Sequence, residues 1–151
     1  LQTFRDDYQS APAVLTRPYP GVEHLLQTLS LAGIRKGVCT NKPQAISDFI
    51  LSELQLRSPF GALVGGDTLA VKKPDPAPLL LCAKLLGARA DQLLYVGDSE
   101  TDAETAARAG IPFALFTRGY RKSPLDEIKA AFTFEHFAEL ETFIRPPVSP
   151  R

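Results

Sequence analysis

The sequence contains no methionine and no tryptophan, and its 151 residues include only two cysteines. Cys39 and Cys82 each lie within an apolar segment, which favours buried free thiols over a disulfide. A complete translation product normally shows its initiator residue, but this sequence begins with Leu1. We therefore expect it to be a piece of a longer polypeptide.

The sequence also has no net charge and no long apolar run. Seventeen Lys and Arg residues balance seventeen Asp and Glu residues, which excludes a global basic field for nucleic acid and an acidic tail. No apolar run approaches the roughly 18 residues of a membrane span, and the first residues lack the basic-then-apolar order of a signal peptide. The remaining composition is that of a globular domain. We expect a cytoplasmic protein that binds neither nucleic acid nor membrane.

Helical and strand patterns alternate along most of the chain. Apolar residues recur at helical spacing in four segments, which begin near Val22, Pro43, Pro76 and Ser99. Short apolar strands are predicted over 34–40, 62–66, 93–97 and 113–117, and we expect strand 93–97 to be the clearest buried one. A further strand over 132–134 and a helix over 136–144 complete the pattern. This order predicts an α/β fold with a parallel sheet and helices on both faces.

Polar side chains follow the predicted strands where ligands bind in open α/β sheets, beyond the carboxyl ends. Thr40 and Asn41 follow the first strand, Lys73 lies in the loop after the second, and Asp98 and Asp102 follow the third. Mg²⁺ takes oxygen ligands from carboxylates, phosphate and water, while lysine supplies a compact positive charge for phosphate. The set therefore predicts a metal-assisted phosphate site.

Each of these residues also has a simpler structural interpretation. Ser99 and Asp102 have the spacing of a helix capping box, and Thr40 or Asn41 could cap the helix after Pro43. A lysine such as Lys73 is typical of a solvated surface. Asp98 differs, because a carboxylate just after an apolar strand risks burial and then needs a cation or several donors. The ordered combination favours the functional interpretation.

Three motifs in this combination resemble motifs two, three and four of the haloacid dehalogenase superfamily. They are Thr40-Asn41-Lys42-Pro43, Lys73-Pro74-Asp75-Pro76 and the segment from Gly97 to Asp102. Within the superfamily, Tyr19-Pro20-Gly21-Val22 and the Gly-Gly-Asp at 65–67 are most similar to phosphoglycolate phosphatases. The likeness extends from about Tyr19 to Ile144.

The resemblance implies a Rossmann-like three-layer core and a Mg²⁺-dependent phosphatase, with 2-phosphoglycolate as the leading substrate. Thr40 would bind the phosphoryl group with Asn41 beside it, and Lys73 would neutralise the phosphoryl oxygens and the nucleophile. Asp98 would hold Mg²⁺, and Asp102 would support the metal directly or through water. In the family mechanism an aspartate attacks phosphorus, and the aspartyl-phosphate is hydrolysed by water that a second aspartate activates.

The family's first motif, Asp-x-Asp-Gly-Thr, supplies both of those aspartates and does not occur in this sequence. The resemblance divides the chain into a remnant of a helical cap and hinge over 1–18, the C-terminal part of the core over 19–145, and a tail over 146–151. The strand that carries the first motif is central in the superfamily, between the strands that end at Thr40 and Gly97. Without it we expect two half-sheets with unpaired edges, poor folding and no phosphatase activity.

Other functions remain open. Another sugar phosphate, pyrophosphate or a phosphomutase reaction would keep the fold, whereas a haloacid dehalogenase proper would not need the metal. A non-catalytic domain could bind a phosphorylated ligand or a partner protein. No Gly-x-Gly-x-x-Gly or Walker A motif supports a nucleotide-binding domain. The segment Arg118-Gly119-Tyr120-Arg121 could contact substrate or form a surface loop, and a homo-oligomer is compatible with the sequence.

Overall fold

The computed structural model describes residues 16–144. The predicted tail over 146–151, and all of the predicted cap remnant before residue 16, lie outside the described residues. Ten helices and strands make up this part of the chain: α1 Val22–Leu31, β1 Gly37–Cys39, α2 Gln44–Glu53, β2 Ala62–Val64, α3 Ala77–Leu85, β3 Tyr95–Gly97, α4 Glu100–Ala109, β4 Phe113–Phe116, β5 Phe132–Phe134 and α5 Phe137–Ile144. Short 3₁₀ helices lie at Ala90–Gln92 and Leu125–Glu127.

All strand pairs between residues 16 and 144 are parallel, as predicted. β1 pairs with β2, with Val38 opposite Leu63, and β4 pairs with β3 on one side and β5 on the other. The predicted alternation of helices and parallel strands is confirmed. The strands are shorter than predicted, because an apolar run becomes strand only where a neighbouring backbone is in register.

A cavity of about 430 Å³ separates the two sheets. Val38 and Cys39 of β1 and Tyr95 and Val96 of β3 line it, together with apolar side chains of α1, α3 and α5. Within residues 16–144, no strand pairs with the edges of β1 and β3 that border this cavity. The arrangement agrees with the expected division into two half-sheets. It also corrects the prediction that 93–97 is the clearest buried strand, because Val96 is 36% exposed.

Helices cover both faces of the β3–β4–β5 sheet. The helices α1 and α5 pack on one face, through the buried residues Leu25, Leu29, Ala114, Phe116, Phe134 and Leu140. On the other face lies α4, through Ala106, Phe113 and Leu115. Successive side chains of a strand point to opposite faces, so β4 serves both clusters and is buried throughout. The predicted three-layer arrangement is thus present in this half of the molecule.

The two cysteines lie where α3 meets the smaller sheet, since Cys39 ends β1 and Cys82 lies on α3. The helix α3 packs on this sheet through Ala62, Val64 and Cys82, with Cys39 against the cluster. Both cysteines are free thiols, as predicted, and burial raises the pKa of each to about 11. Among the described helices, none has the length and apolar content needed to cross a bilayer.

The ends of α4 follow the sequence prediction closely. Ser99 is the N-cap, and its hydroxyl oxygen accepts a hydrogen bond from the backbone N–H of Asp102. Gly110 ends the helix with φ of 69°, a left-handed conformation that suits glycine. The cap prediction for α2 is wrong, because Pro43 is its N-cap and no side chain caps it. The side chains of Thr40 and Asn41 have other partners, described below.

Candidate active site

Four predicted site residues are joined by direct contacts near the carboxyl ends of β1 and β3. The ammonium of Lys73 lies 2.7 Å from Oδ1 of Asp102. Asn41 binds the backbone of Lys73, and Asp102 accepts a hydrogen bond from the backbone N–H of Asp98. Thr40 is adjacent to Asn41 and extends the β1 ladder through its N–H, which donates to the carbonyl of Val64. The predicted convergence of these residues is therefore seen in the fold.

Lys73 and Asp102 form an ion pair that is largely removed from solvent. Their side chains are 11% and 9% exposed. Burial alone would raise the pKa of Asp102, but the Lys73 ammonium and the hydrogen bonds from Lys73, Ser99 and the Asp98 N–H hold it below its ordinary value. Lys73 is thus not the solvated surface lysine of the simpler interpretation.

Both carboxylate oxygens of Asp102 accept hydrogen bonds. Oδ1 accepts from Lys73, while Oδ2 accepts from the backbone N–H of Asp98 at 3.1 Å and from the Ser99 hydroxyl at 2.9 Å. The Ser99 oxygen accepts in turn from the Asp102 N–H at 3.2 Å. Asp102 therefore takes part both in the cap of α4, with Ser99, and in the ion pair of the site, with Lys73. This arrangement favours support of a metal through water over direct coordination, and the metal role of Asp102 stays a prediction.

Asn41 holds the main chain of Lys73. Its Nδ2 donates to the Lys73 carbonyl at 3.0 Å, and its Oδ1 accepts from the Lys73 N–H at 2.9 Å. The Thr40 hydroxyl oxygen accepts from the Lys42 N–H at 3.1 Å. Among the described residues its own hydrogen has no acceptor, so it could be donated to a phosphoryl oxygen. Asn41 thus acts on Lys73, and its predicted contact with phosphate is not tested.

The turn at 40–44 rests on the loop at 65–68, where two glycines allow a close approach. A Cβ atom at Gly66 would lie 2.0 Å from the backbone oxygen of Asn41. The Gln44 side chain accepts from the Gly65 N–H at 2.6 Å, and the Gln44 N–H donates to Asp67 at 2.8 Å. The Gly-Gly-Asp segment thereby fixes the backbone that carries Asn41. Sequence reasoning had noted this segment without a physical role.

Asp98 is held from the opposite side by the loop after β4. Its Oδ2 accepts from the Tyr120 N–H at 3.1 Å, and a Cβ atom built at Gly119 would lie 2.3 Å from the Cβ of Asp98. Among the described residues, no hydrogen bond to its Oδ1 is found. The backbone of segment 118–121 therefore contacts Asp98, and a contact of this segment with substrate stays a prediction.

The Oδ1 atom of Asp98 is an oxygen ligand of the kind that Mg²⁺ prefers. Within residues 16–144, no group of three or more His, Cys, Asp or Glu residues is arranged to hold a metal ion. A Mg²⁺ ion at Asp98 would therefore take further ligands from water, phosphate or carboxylates other than those described. Mg²⁺ commonly keeps several waters and only one or two protein carboxylates, so this is an ordinary arrangement.

Sequence reasoning missed Tyr95, whose hydroxyl touches both members of the ion pair. The oxygen lies 3.0 Å from Lys73 Nζ, 3.1 Å from Asp102 Oδ1 and 3.2 Å from the Cys39 carbonyl. Burial, the Asp102 carboxylate and a hydrogen bond to it raise the pKa of Tyr95 well above its ordinary value. The available signal was a single phenol in an otherwise apolar strand, two residues before Gly97.

Comparisons with known proteins show the family to which the chain belongs. The family model described as haloacid dehalogenase-like hydrolase matches residues 1–116. A phosphoglycolate phosphatase of Cereibacter sphaeroides is 47% identical over 142 residues, which cover 94% of this chain and 64% of the relative. One of Rhodospirillum rubrum is 44% identical over 147 residues and is covered to 61% of its length. The chain thus spans less than two thirds of these curated relatives.

Solved structures give the same assignment. The crystal structure of a predicted phosphoglycolate phosphatase from Haemophilus somnus superposes with a TM-score of 0.90 at 30% identity, over 95% of this chain and 64% of that one. A haloacid dehalogenase-superfamily hydrolase from Geobacter sulfurreducens superposes with a TM-score of 0.77 at 32% identity, over 90% of this chain and 65% of that one. Together with the family match over residues 1–116, these findings show that the chain belongs to the haloacid dehalogenase-like hydrolase family.

Proposed function

We propose that this chain is the C-terminal part of a Mg²⁺-dependent phosphatase that hydrolyses a small phosphate monoester, with 2-phosphoglycolate as the leading substrate. The observation that carries the proposal is the position of Lys73. Its ammonium is paired with Asp102 and its backbone is clamped by Asn41, while Asp102 also accepts a hydrogen bond from the backbone N–H of Asp98. A lysine held in this way is a fixed positive charge at the edge where α/β sheets bind ligands.

Each of these residues has a defined task in phosphoryl transfer. Lys73 would neutralise charge on the phosphoryl oxygens, and the Thr40 hydroxyl would donate a hydrogen bond to one of them. Asp98 would hold Mg²⁺, which when bound supplies further positive charge that stabilises the transferring group. Because phosphoryl transfer depends mainly on positioning and electrostatic stabilisation, preorganised contacts of this kind are what the reaction requires.

The nucleophile in this proposal is an aspartate on a strand that precedes Leu1 in the parent protein. The cavity between β1 and β3 supports it, since apolar side chains of three helices line the cavity and no described strand pairs with the edges of β1 and β3 that border it. A strand between these edges would end between Thr40 and Asp98. Its aspartate would form the phospho-enzyme, and a second aspartate would activate the hydrolytic water.

The choice of substrate rests on the relatives, since the two curated proteins cited above are named phosphoglycolate phosphatases. Another sugar phosphate, pyrophosphate or a phosphomutase reaction is compatible with the same phosphate-binding residues. We place the enzyme in the cytoplasm, with a small phosphorylated metabolite as its partner. A non-catalytic protein that binds a phosphorylated ligand is the alternative from another class.

The test uses the complete enzyme, by which we mean this chain together with the strand-bearing segment proposed to precede it. Phosphate release is measured with 2-phosphoglycolate, several sugar phosphates and pyrophosphate, each with Mg²⁺ and with EDTA. We expect Mg²⁺-dependent release, with the highest kcat/KM for 2-phosphoglycolate. A folded protein that binds phosphate esters without hydrolysing any of them would support the non-catalytic alternative. Release that EDTA leaves unchanged would contradict the metal dependence.

A further inference from the structure

Tyr95 lies where the two halves of the site meet. It opens β3, its ring packs against Phe113 with the centroids 6.0 Å apart, and its side chain borders the cavity between the sheets. The hydroxyl reaches across to the carbonyl of Cys39, the last residue of β1. This oxygen therefore connects the end of β1, next to Thr40, with the ion pair of Lys73 and Asp102.

Within residues 16–144, the hydrogen bonds of the Lys73 ammonium leave one of its donors for a ligand. An ammonium group has three N–H bonds. One points to Asp102 Oδ1 at 2.7 Å and a second to the Tyr95 oxygen at 3.0 Å. With only the Asp102 contact, the ammonium could rotate about a single hydrogen bond. Two partners at fixed positions determine the direction of the third N–H.

The phenol suits this task because it accepts and donates at once. Its oxygen accepts from Lys73, and its single proton can be donated to the Cys39 carbonyl or to Asp102 Oδ1. Phenylalanine at this position would keep the ring and its packing against Phe113 but lose the oxygen, so the effect of the hydroxyl can be measured separately.

We propose that the hydroxyl of Tyr95 is a positioning group that directs one N–H of Lys73 toward the transferring phosphoryl group. The proposal rests on the proposed phosphatase function and adds a residue to its machinery. Tyr95 acts through Lys73 and makes no contact with substrate of its own. Its removal therefore lowers the rate of the chemical step more than it weakens substrate binding.

The experiment is a double-mutant cycle in the complete enzyme, with Tyr95→Phe, Lys73→Met and the double variant. Each kcat is normalised to the folded fraction measured by circular dichroism. A loss of activity caused by unfolding is then not mistaken for a loss of Lys73 positioning. We expect Tyr95→Phe to lower kcat about 10- to 100-fold, as for a lost hydrogen bond to a charged group, with KM changed less than about threefold. In the Lys73→Met background the same change should have no further effect.

The possible results separate this proposal from the function on which it rests. An inactive wild-type enzyme contradicts the proposed function. An active wild-type enzyme with an unaltered Tyr95→Phe variant, or with additive losses in the double variant, contradicts the positioning role. A change confined to KM, or to the Mg²⁺ concentration for half-maximal rate, would assign Tyr95 to substrate or metal binding and likewise overturn it.

Discussion

The ammonium of Lys73 lies 2.7 Å from a carboxylate oxygen of Asp102, and the two side chains are only 11% and 9% exposed. A buried charge without its partner is strongly unfavourable, so loss of either member should destabilise the fold by about 3–5 kcal/mol. Lys73 is also the positively charged side chain of the candidate active site. In the proposed function, one contact therefore serves both stability and catalysis.

We expect Lys73→Met to lower both kcat and the melting temperature of the complete enzyme. The loss in kcat should be about 10²- to 10³-fold, as when an electrostatic group of an active site is removed. In Lys73→Met/Asp102→Leu, the melting temperature should recover in part, because no charge is left unpaired although the Asp98 N–H and the Ser99 hydroxyl lose their acceptor, but activity should not. Lys84→Met is the matched control, since Lys84 is exposed. Recovery of activity together with stability would contradict a catalytic role for Lys73.

A second prediction concerns Asn41, whose amide binds both backbone polar groups of Lys73. Asn41→Ala should lower kcat about tenfold, the effect of a displaced charge-bearing residue. Asn41→Asp should be more damaging, because one carboxylate oxygen would face the Lys73 carbonyl without a proton between them. Steady-state kinetics of both variants tests this order. A milder effect for aspartate than for alanine would indicate that Asn41 does not hold the Lys73 backbone.

A third prediction concerns Gly66, where an added Cβ would lie 2.0 Å from the backbone oxygen of Asn41. Gly66→Ala should displace the turn that carries Asn41 and reduce kcat as well as stability. Gly33→Ala is the control, because Gly33 has φ of +71° and no atom within 4 Å of the added Cβ. It should cost about 1–2 kcal/mol of stability and leave kcat unchanged. Thermal unfolding and kinetics of both variants, measured side by side, distinguish a clash with the Asn41 backbone at Gly66 from backbone strain alone at Gly33. Equal kcat values for the two would contradict the role of Gly66.

A fourth prediction concerns the metal. Asp98→Asn should raise the Mg²⁺ concentration for half-maximal activity at least about tenfold, since a neutral amide is a weaker ligand for a hard cation. Gly119→Ala should act in the same direction, because its Cβ would lie 2.3 Å from the Cβ of Asp98. Asp126→Asn, at an exposed position, is the matched control. Mg²⁺ titrations that are unchanged for Asp98→Asn would exclude Asp98 as the ligand.

The fifth prediction concerns residues 1–151 alone. The cavity between β1 and β3 leaves strand edges without a partner within the described chain, and unpaired edges are costly and prone to aggregation. We expect this segment to show no cooperative urea unfolding and no hydrolysis of phosphate esters. Circular dichroism during a urea titration and a phosphate-release assay test both points. Cooperative unfolding together with Mg²⁺-dependent phosphatase activity would contradict the prediction.

The sequence by itself determined the order of helices and parallel strands, and the ends of α4. These features depend on local causes: apolar periodicity, the Ser99 hydroxyl three residues before the Asp102 N–H, and the left-handed conformation of Gly110. The sequence also placed the site residues at strand ends, because polar side chains follow apolar runs there. Local patterns could not give the extent of β3 or the exposure of Val96, since both depend on which strand lies beside it.

Only the tertiary structure decided which site residues touch. Lys73 and Asp102 are 29 positions apart, and Asn41 is 32 positions from the backbone that it clamps. The Tyr95 hydroxyl reaches a carbonyl 56 positions away. Such contacts arise when crossover connections bring strand ends together, and no local pattern encodes their geometry. For this reason local spacing allowed Thr40 or Asn41 to cap α2, whereas in the fold both side chains have other partners, and the contacts of Tyr95 appear only in the folded chain.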